Sequence, residues 1–78
     1  MPRLRLFGPA REAAGTATDD VPGATVADVL IAARARYGER FSLVAAGCRV
    51  WVNGEESSGG EMVSDDDEIA LLPPVSGG

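Results

Sequence analysis

Apolar and polar positions alternate at the start of the chain. Leu4 and Leu6 fall on one side and Arg3, Arg5 and Phe7 on the other, which predicts a strand over residues 3–7. Gly8-Pro9 then opens a short helical turn to Ala14. Proline is tolerated in a first turn, and Gly15 suits the left-handed stop after it. Residues 16–21 predict a second strand, rich in threonine but carrying two aspartates. Beyond the Pro22-Gly23 turn the period changes. Val26, Val29, Leu30, Ala33 and Tyr37 recur at the spacing of one buried helix face. Thr25 is placed to cap that helix, and Asp28 lies at its positive end. Arg34 and Arg36 lie toward the negative end, and Gly38 ends it. Residues 41–46 are expected as a loose turn over the core. Arg49 to Val52 is a strand with Val50 and Val52 inward, and Asn53-Gly54 is a strong reversal signal. Ser57 to Gly60 is a loop, Met62-Val63 a short strand, and Asp65-Asp66-Asp67 a turn. Glu68 to Leu72 is the last strand, with Ile69 and Leu71 inward, and Pro73-Pro74 stops it because neither residue has an N–H for a ladder.

The element order is strand, strand, long helix, then two or three strands. A mixed sheet with one main helix across one face is the simplest way to bury both apolar faces. First and last strands become parallel neighbours, joined by the crossover that contains the helix. This is an α+β fold of the β-grasp, or ubiquitin-like, kind. Residues 1–74 form the domain, and residues 75–78, Val75-Ser76-Gly77-Gly78, are expected as a flexible C-terminal tail.

Composition narrows the chemistry. At 78 residues this is one domain, and a domain so small buries only about two-thirds of its unfolded surface. No apolar run approaches the roughly 20 residues needed to span a bilayer, and the arginine-interrupted N-terminus is no signal sequence. A cytoplasmic, membrane-free protein is expected. The net charge of −5 disfavours nucleic acid as a partner. Residues 1–40 hold six arginines against five acids, whereas residues 41–78 hold Arg49 against seven acids. The acidic half could steer the chain to a basic partner, or its acids could simply fill solvated turns. There is one cysteine, Cys48, so neither a disulfide nor a cysteine metal cluster is available. No metal site is expected: Asp65, Asp66, Asp67 and Glu68 lack calcium-loop spacing. There is no histidine, and all seven cations are arginine. The commonest general base and any Schiff-base amine are therefore missing, and the chain is not expected to be catalytic alone.

Three stretches stand out: Leu6-Phe7-Gly8-Pro9-Ala10-Arg11-Glu12-Ala13-Ala14-Gly15, Val52-Asn53-Gly54-Glu55, and the end Asp67-Glu68-Ile69-Ala70-Leu71-Leu72-Pro73-Pro74-Val75-Ser76-Gly77-Gly78. Together they resemble the small subunit of molybdopterin synthase, over essentially the whole length. The resemblance implies a sulfur carrier for molybdenum cofactor biosynthesis. An adenylating enzyme resembling the ubiquitin-activating enzymes would use ATP to activate the carboxylate of Gly78. Sulfur would replace one oxygen to give a thiocarboxylate, and the tail would donate it to a pterin precursor inside the large catalytic subunit. No cofactor is implied on this chain itself.

The residues fit that chemistry. A terminal thiocarboxylate is a soft sulfur nucleophile that needs no side chain. Gly77 and Gly78 leave the acyl carbon unobstructed and admit conformations closed to other residues. Ser76, Val75 and Pro74 would enter the partner with them, and prolines at the base reduce the entropy lost on insertion. Alternation also turns Phe7, Trp51, Ala70 and Leu72 to the helix-free face as one apolar patch, a candidate partner interface. The competing arrangement is a bulge or loop that covers Trp51. Cys48 reads as a small packed hydrophobe. Three other functions stay open: a carrier for thiamine or cysteine biosynthesis, a ubiquitin-like protein modifier, and a binding module with an inert tail.

Overall fold

The computed structural model describes residues 1–74. Strands β1 (Arg3–Leu6), β2 (Thr18–Asp20), β3 (Arg49–Val52), β4 (Glu55–Glu56) and β5 (Glu68–Leu72) form one sheet in the order β2-β1-β5-β3-β4. β1 and β5 are parallel at its centre, and the other neighbours are antiparallel. Helices α1 (Gly8–Ala14), α2 (Val26–Tyr37) and α3 (Glu39–Ala46) complete the chain. This is the ubiquitin-like β-grasp expected from the element order.

Period-2 alternation in the strands and 3.6-residue spacing in α2 supply the core. Leu4 and Leu6 of β1, Ile69 and Leu71 of β5, and Val26, Val29 and Ala33 of α2 are all buried, joined by Ala10, Val21, Phe41 and Ala45. Fully burying a side chain of this size stabilises by about 1.5–3 kcal/mol. β5 is paired on both sides, so Ile69 and Leu71 lie at the centre of the domain.

The start of α2 shows how its orphan donors are satisfied. Thr25 Oγ1 accepts from the Asp28 amide at 3.1 Å, and the Thr25 carbonyl accepts from Val29. The amides of Val26 and Ala27 donate to the carbonyls of Glu61 and Gly59, so a distant loop completes the cap. That loop is itself folded around the Glu61 carboxylate, which accepts from Ser57 Oγ at 2.6 Å and from the Ser58 and Gly59 amides. These bonds, chiefly the one from Ser57, hold the Glu61 carboxyl down at about 2.

Four expectations change. Residues 41–46 are not a loose turn but most of α3, which begins directly after Gly38. Phe41 and Ala45, one turn apart, insert into the core, and the Ser42 amide and hydroxyl both bond the Gly38 carbonyl. Met62-Val63 is not a strand: Met62 forms a single bridge to Thr25, and the Val63 amide goes to the Ala24 carbonyl. After the Asn53-Gly54 reversal, whose residues both have positive φ, the chain adds the two-residue edge strand β4. The second strand is shorter than residues 16–21, because only Thr18–Asp20 pair with β1.

Candidate functional site

The candidate site has two parts, the end of β5 and the sheet face opposite the helices. β5 runs into Pro73 and Pro74, both exposed. Beside them β1 gives way to α1, with Phe7 in extended geometry as its N-cap. Gly8 follows with φ of 56°, a left-handed conformation in which glycine carries no Cβ penalty. A Cβ there would lie 3.6 Å from Pro73 Cγ, in ordinary van der Waals range, so the start of α1 lies close to the end of the described chain. Ladders to β1 and β3 fix β5 in register up to Leu72, opposite Arg49. Val75, Ser76, Gly77 and Gly78, the predicted tail and reactive terminus, lie outside the described residues. Pro74 is the last residue described.

The register brings the four predicted interface residues to one face. Trp51, Ala70 and Arg5 are successive cross-strand partners, and Leu72 lies between Arg49 and the continuation of β1 at Phe7. Val50 and Val52 pair with Leu71 and Ile69 on the opposite, core-facing side. Trp51 therefore points away from the helices, as alternation requires. It is half-buried, as are Ala70 and Leu72, whereas Phe7 is exposed. The Trp51 indole Nε1 is buried without an acceptor among the described residues.

The patch is not purely apolar: Arg5, which alternation already puts on the side of Phe7, and Arg49, which the expected patch left out, belong to it. Arg5 holds its guanidinium 6.0 Å from the Phe7 ring centre and 3.7 Å from Glu68. Arg49 pairs with Glu56 at 2.7 Å on the other flank of Trp51. The signal available was the same alternation that placed Trp51, since Arg5 and Arg49 share its parity.

Other titratable groups are built into the frame. Asp19 on β2 accepts from the Tyr37 hydroxyl and from Arg36 Nη1 (2.8 Å), which ties the sheet edge to the end of α2. The Tyr37 bond first and Arg36 second hold the Asp19 carboxyl below its usual range. Burial, reinforced by Asp19, pushes the Tyr37 phenol up to about 12. Cys48 packs against the core, its thiol donating to the Val44 carbonyl at 3.4 Å, and burial pushes the thiol up. Among the described residues no group of acids or cysteine has the arrangement of a metal site, and no helix is long and apolar enough to cross a membrane.

A sequence model of the ThiS family matches residues 4–78. No curated protein matches the chain. Among solved structures, small archaeal modifier protein 1 of Methanosarcina acetivorans is similar at 31% identity, over 97% of this chain and 94% of its own, with a TM-score of 0.82. The same-named protein of Haloferax volcanii is 36% identical, over 97% of both chains, with a TM-score of 0.76. A Pyrococcus furiosus protein assigned as molybdopterin converting factor, subunit 1, is 27% identical, over 94% of this chain and 95% of its own, with a TM-score of 0.80.

Proposed function

From the premise that the chain belongs to the ThiS family of ubiquitin-like sulfur carriers, we propose that its working group is the carboxylate of Gly78 and that it carries sulfur for molybdenum cofactor biosynthesis. The observation that carries this reading is the Gly-Gly end itself, four residues past Pro74 and within the family match. It follows the central strand of the sheet, β5, which is paired on both sides.

The chemistry follows from a carboxylate being a poor electrophile. In an adenylating partner, a Gly78 carboxylate oxygen attacks the α-phosphorus of ATP and pyrophosphate leaves. A hydrosulfide-level donor then attacks the acyl carbon, AMP leaves, and a thiocarboxylate remains. Inside the large catalytic subunit that sulfur attacks a carbon of the pterin precursor and displaces an oxygen leaving group; water then attacks the acyl carbon, the acyl–sulfur bond breaks, the sulfur stays on the pterin as a thiolate and the Gly78 carboxylate is regenerated. The partners supply acid, base and cation, which accounts for a carrier with no histidine and no lysine. Phe7, Trp51, Ala70 and Leu72 are the proposed docking residues, with Trp51 as the aromatic anchor. Arg5 and Arg49 frame them, and the site of action is the cytoplasm.

The experiment is reconstitution with the adenylating enzyme, ATP, a sulfide source, the large subunit and the pterin precursor. Deleting Gly77 and Gly78 is expected to abolish sulfur transfer while leaving the unfolding transition unchanged. Unimpaired transfer by the truncated chain contradicts the proposal.

A second reading, a protein modifier joined through Gly78 to lysines of other proteins, is favoured by one observation. The two archaeal modifier proteins are 31% and 36% identical to this chain, above the 27% of the molybdopterin converting factor. Gly-Gly remnants on lysines of cellular proteins, dependent on Gly78, would support it. Thiamine and cysteine biosynthesis are the other destinations for a carrier of this family. Transfer to the pterin precursor separates the first reading from all of these.

A further inference from the structure

An open β-sheet ends in two edges, and each offers unpaired N–H and C=O groups to another strand. Here the edges are β2 and β4. β4 is only two glutamates long, and its shortness and charge blunt it. β2 is closed in a different way. The Leu6 amide donates to the Ala17 carbonyl, and the Val21 amide donates to the Pro2 carbonyl. Backbone groups alternate in direction along an antiparallel ladder. Ala17, Asp19 and Val21 therefore bond toward β1, and Thr18 and Asp20 turn their backbone groups outward.

Side chains of the same chain occupy those outward groups. Thr16 Oγ1 donates to the Thr18 carbonyl at 2.8 Å. Arg36 Nη1 reaches across from α2 and donates to the Asp20 carbonyl at 2.9 Å. The Asp20 amide donates to Asp19 Oδ1 at 2.9 Å. The other oxygen of that carboxylate accepts from Arg36 Nη1 at 2.8 Å and from the Tyr37 hydroxyl, which holds both side chains in place over the edge. Of the outward groups, only the Thr18 amide is left over among the described residues.

We propose that β2 is a sealed strand-addition edge: Thr16, Asp19 and Arg36 hold the backbone groups through which a second copy of this chain would otherwise join the sheet. A second copy is the occupant because the edge is complementary to itself. Two β2 strands set antiparallel about Asp19 put Thr18 of each opposite Asp20 of the other, and each such pair exchanges both backbone bonds. Asp19 then faces its own counterpart, and like charges directly opposite are destabilising. The aspartate thus acts twice, as the acceptor for the Asp20 amide and as a charge against its twin. With this edge sealed and β4 blunted, binding through the sheet is left to its helix-free face. The seal is independent of what Gly78 carries, so it stands or falls apart from the carrier reading.

The test opens the edge in the full chain. Thr16→Val and Arg36→Met free the two carbonyls, and Asp19→Asn removes the charge while keeping an acceptor for Tyr37. Circular dichroism and urea unfolding establish that the triple variant is folded; where it is not, Thr16→Val with Arg36→Met takes its place. Sedimentation equilibrium then gives the mass as a function of concentration. The unaltered chain is expected to keep its monomer mass throughout. The opened variant is expected to gain about 1.5-fold in weight-average mass at about 1 mM, the value for a Kd of about 1 mM, as suits a contact far smaller than a standard interface. Adding Thr18→Pro to the opened variant removes an outward amide and spares the ladder to β1, and it should restore the monomer. A folded opened variant that stays monomeric, an association that survives Thr18→Pro, or an unaltered chain that already self-associates overturns the proposal.

Discussion

Replacing Leu71 or Leu72 with alanine tests the link between fold and interface, because the two residues are neighbours in β5 on opposite faces. Leu71 is fully buried and paired with Leu6 and Val50 at the centre of the sheet. Its truncation removes buried carbons and leaves a cavity in a region held on both sides, for which about 2–5 kcal/mol is expected. A chain of this length has roughly 4–12 kcal/mol of total stability at 0.05–0.15 kcal/mol per residue, so Leu71→Ala consumes a large part of it. Leu72 is half-buried on the helix-free face, and Leu72→Ala is expected to cost about 1 kcal/mol or less because less surface returns to water. Binding should show the reverse order. If Leu72 belongs to the proposed docking patch, Leu72→Ala weakens association with the proposed large-subunit partner by about 1–2 kcal/mol, or roughly 5- to 30-fold in Kd. Leu71→Ala should bind normally once corrected for its folded fraction. Urea unfolding followed by the fluorescence of Trp51, the one tryptophan, gives the first quantity, and titration with the large subunit gives the second. Equal destabilisation by the two substitutions, or normal binding by Leu72→Ala, would refute the assignment of faces.

Three further outcomes are expected. Gly23→Ala should destabilise by about 1–3 kcal/mol in urea, because its Cβ would lie 2.6 Å from the amide nitrogen and Cγ2 of Val29, where backbone cannot yield cheaply. The single tyrosine should titrate by ultraviolet absorbance near 12, above its ordinary 10, and move down in Asp19→Asn. Since the folded value is raised, this stabilisation is complete below pH 10 and is lost as pH rises through about 12; a transition at 10 in the unaltered chain would contradict the Asp19–Tyr37 contact. Glu61 has the opposite sign. Its folded value of about 2 lies below the ordinary 4.5, so its contribution is present above pH 4.5 and disappears as pH falls toward 2. Glu61→Gln should flatten that part of the acid unfolding profile, and an unchanged profile would count against the loop's role in capping α2.

How far the sequence could be read follows from which physical signals were local. α2 was legible because five apolar positions kept one helical face and Thr25 supplied a cap that the structure shows in use. The central strands were legible because Leu4, Leu6, Ile69 and Leu71 alternate without exception. α3 was not, because its inward face is short, with Phe41 and Ala45 buried and Val44 packed beside them, while Leu43 is 71% exposed, which blurs the period. Its helix also starts from Gly38, the residue that had just ended α2. β4 is two glutamates held by their ladder to Trp51 and Val52 and by the pairing of Glu56 with Arg49, a signal that no propensity carries. On the candidate site, parity was enough to put Phe7, Trp51, Ala70 and Leu72 on one face. The pairing of Arg49 with Glu56 and the placing of Arg5 over Phe7 depend on strand order and side-chain conformation. The Gly8–Pro73 contact joins residues 65 positions apart, beyond any local pattern.

The most direct test of the account is the intact mass of the chain after incubation with the adenylating enzyme, ATP and a sulfide source, followed by fragmentation from the C-terminus. The account predicts replacement of one oxygen by one sulfur, confined to Gly78 and absent without ATP. Sulfur found on Cys48 instead, or an unchanged mass with an enzyme that thiolates a known carrier in parallel, would contradict it.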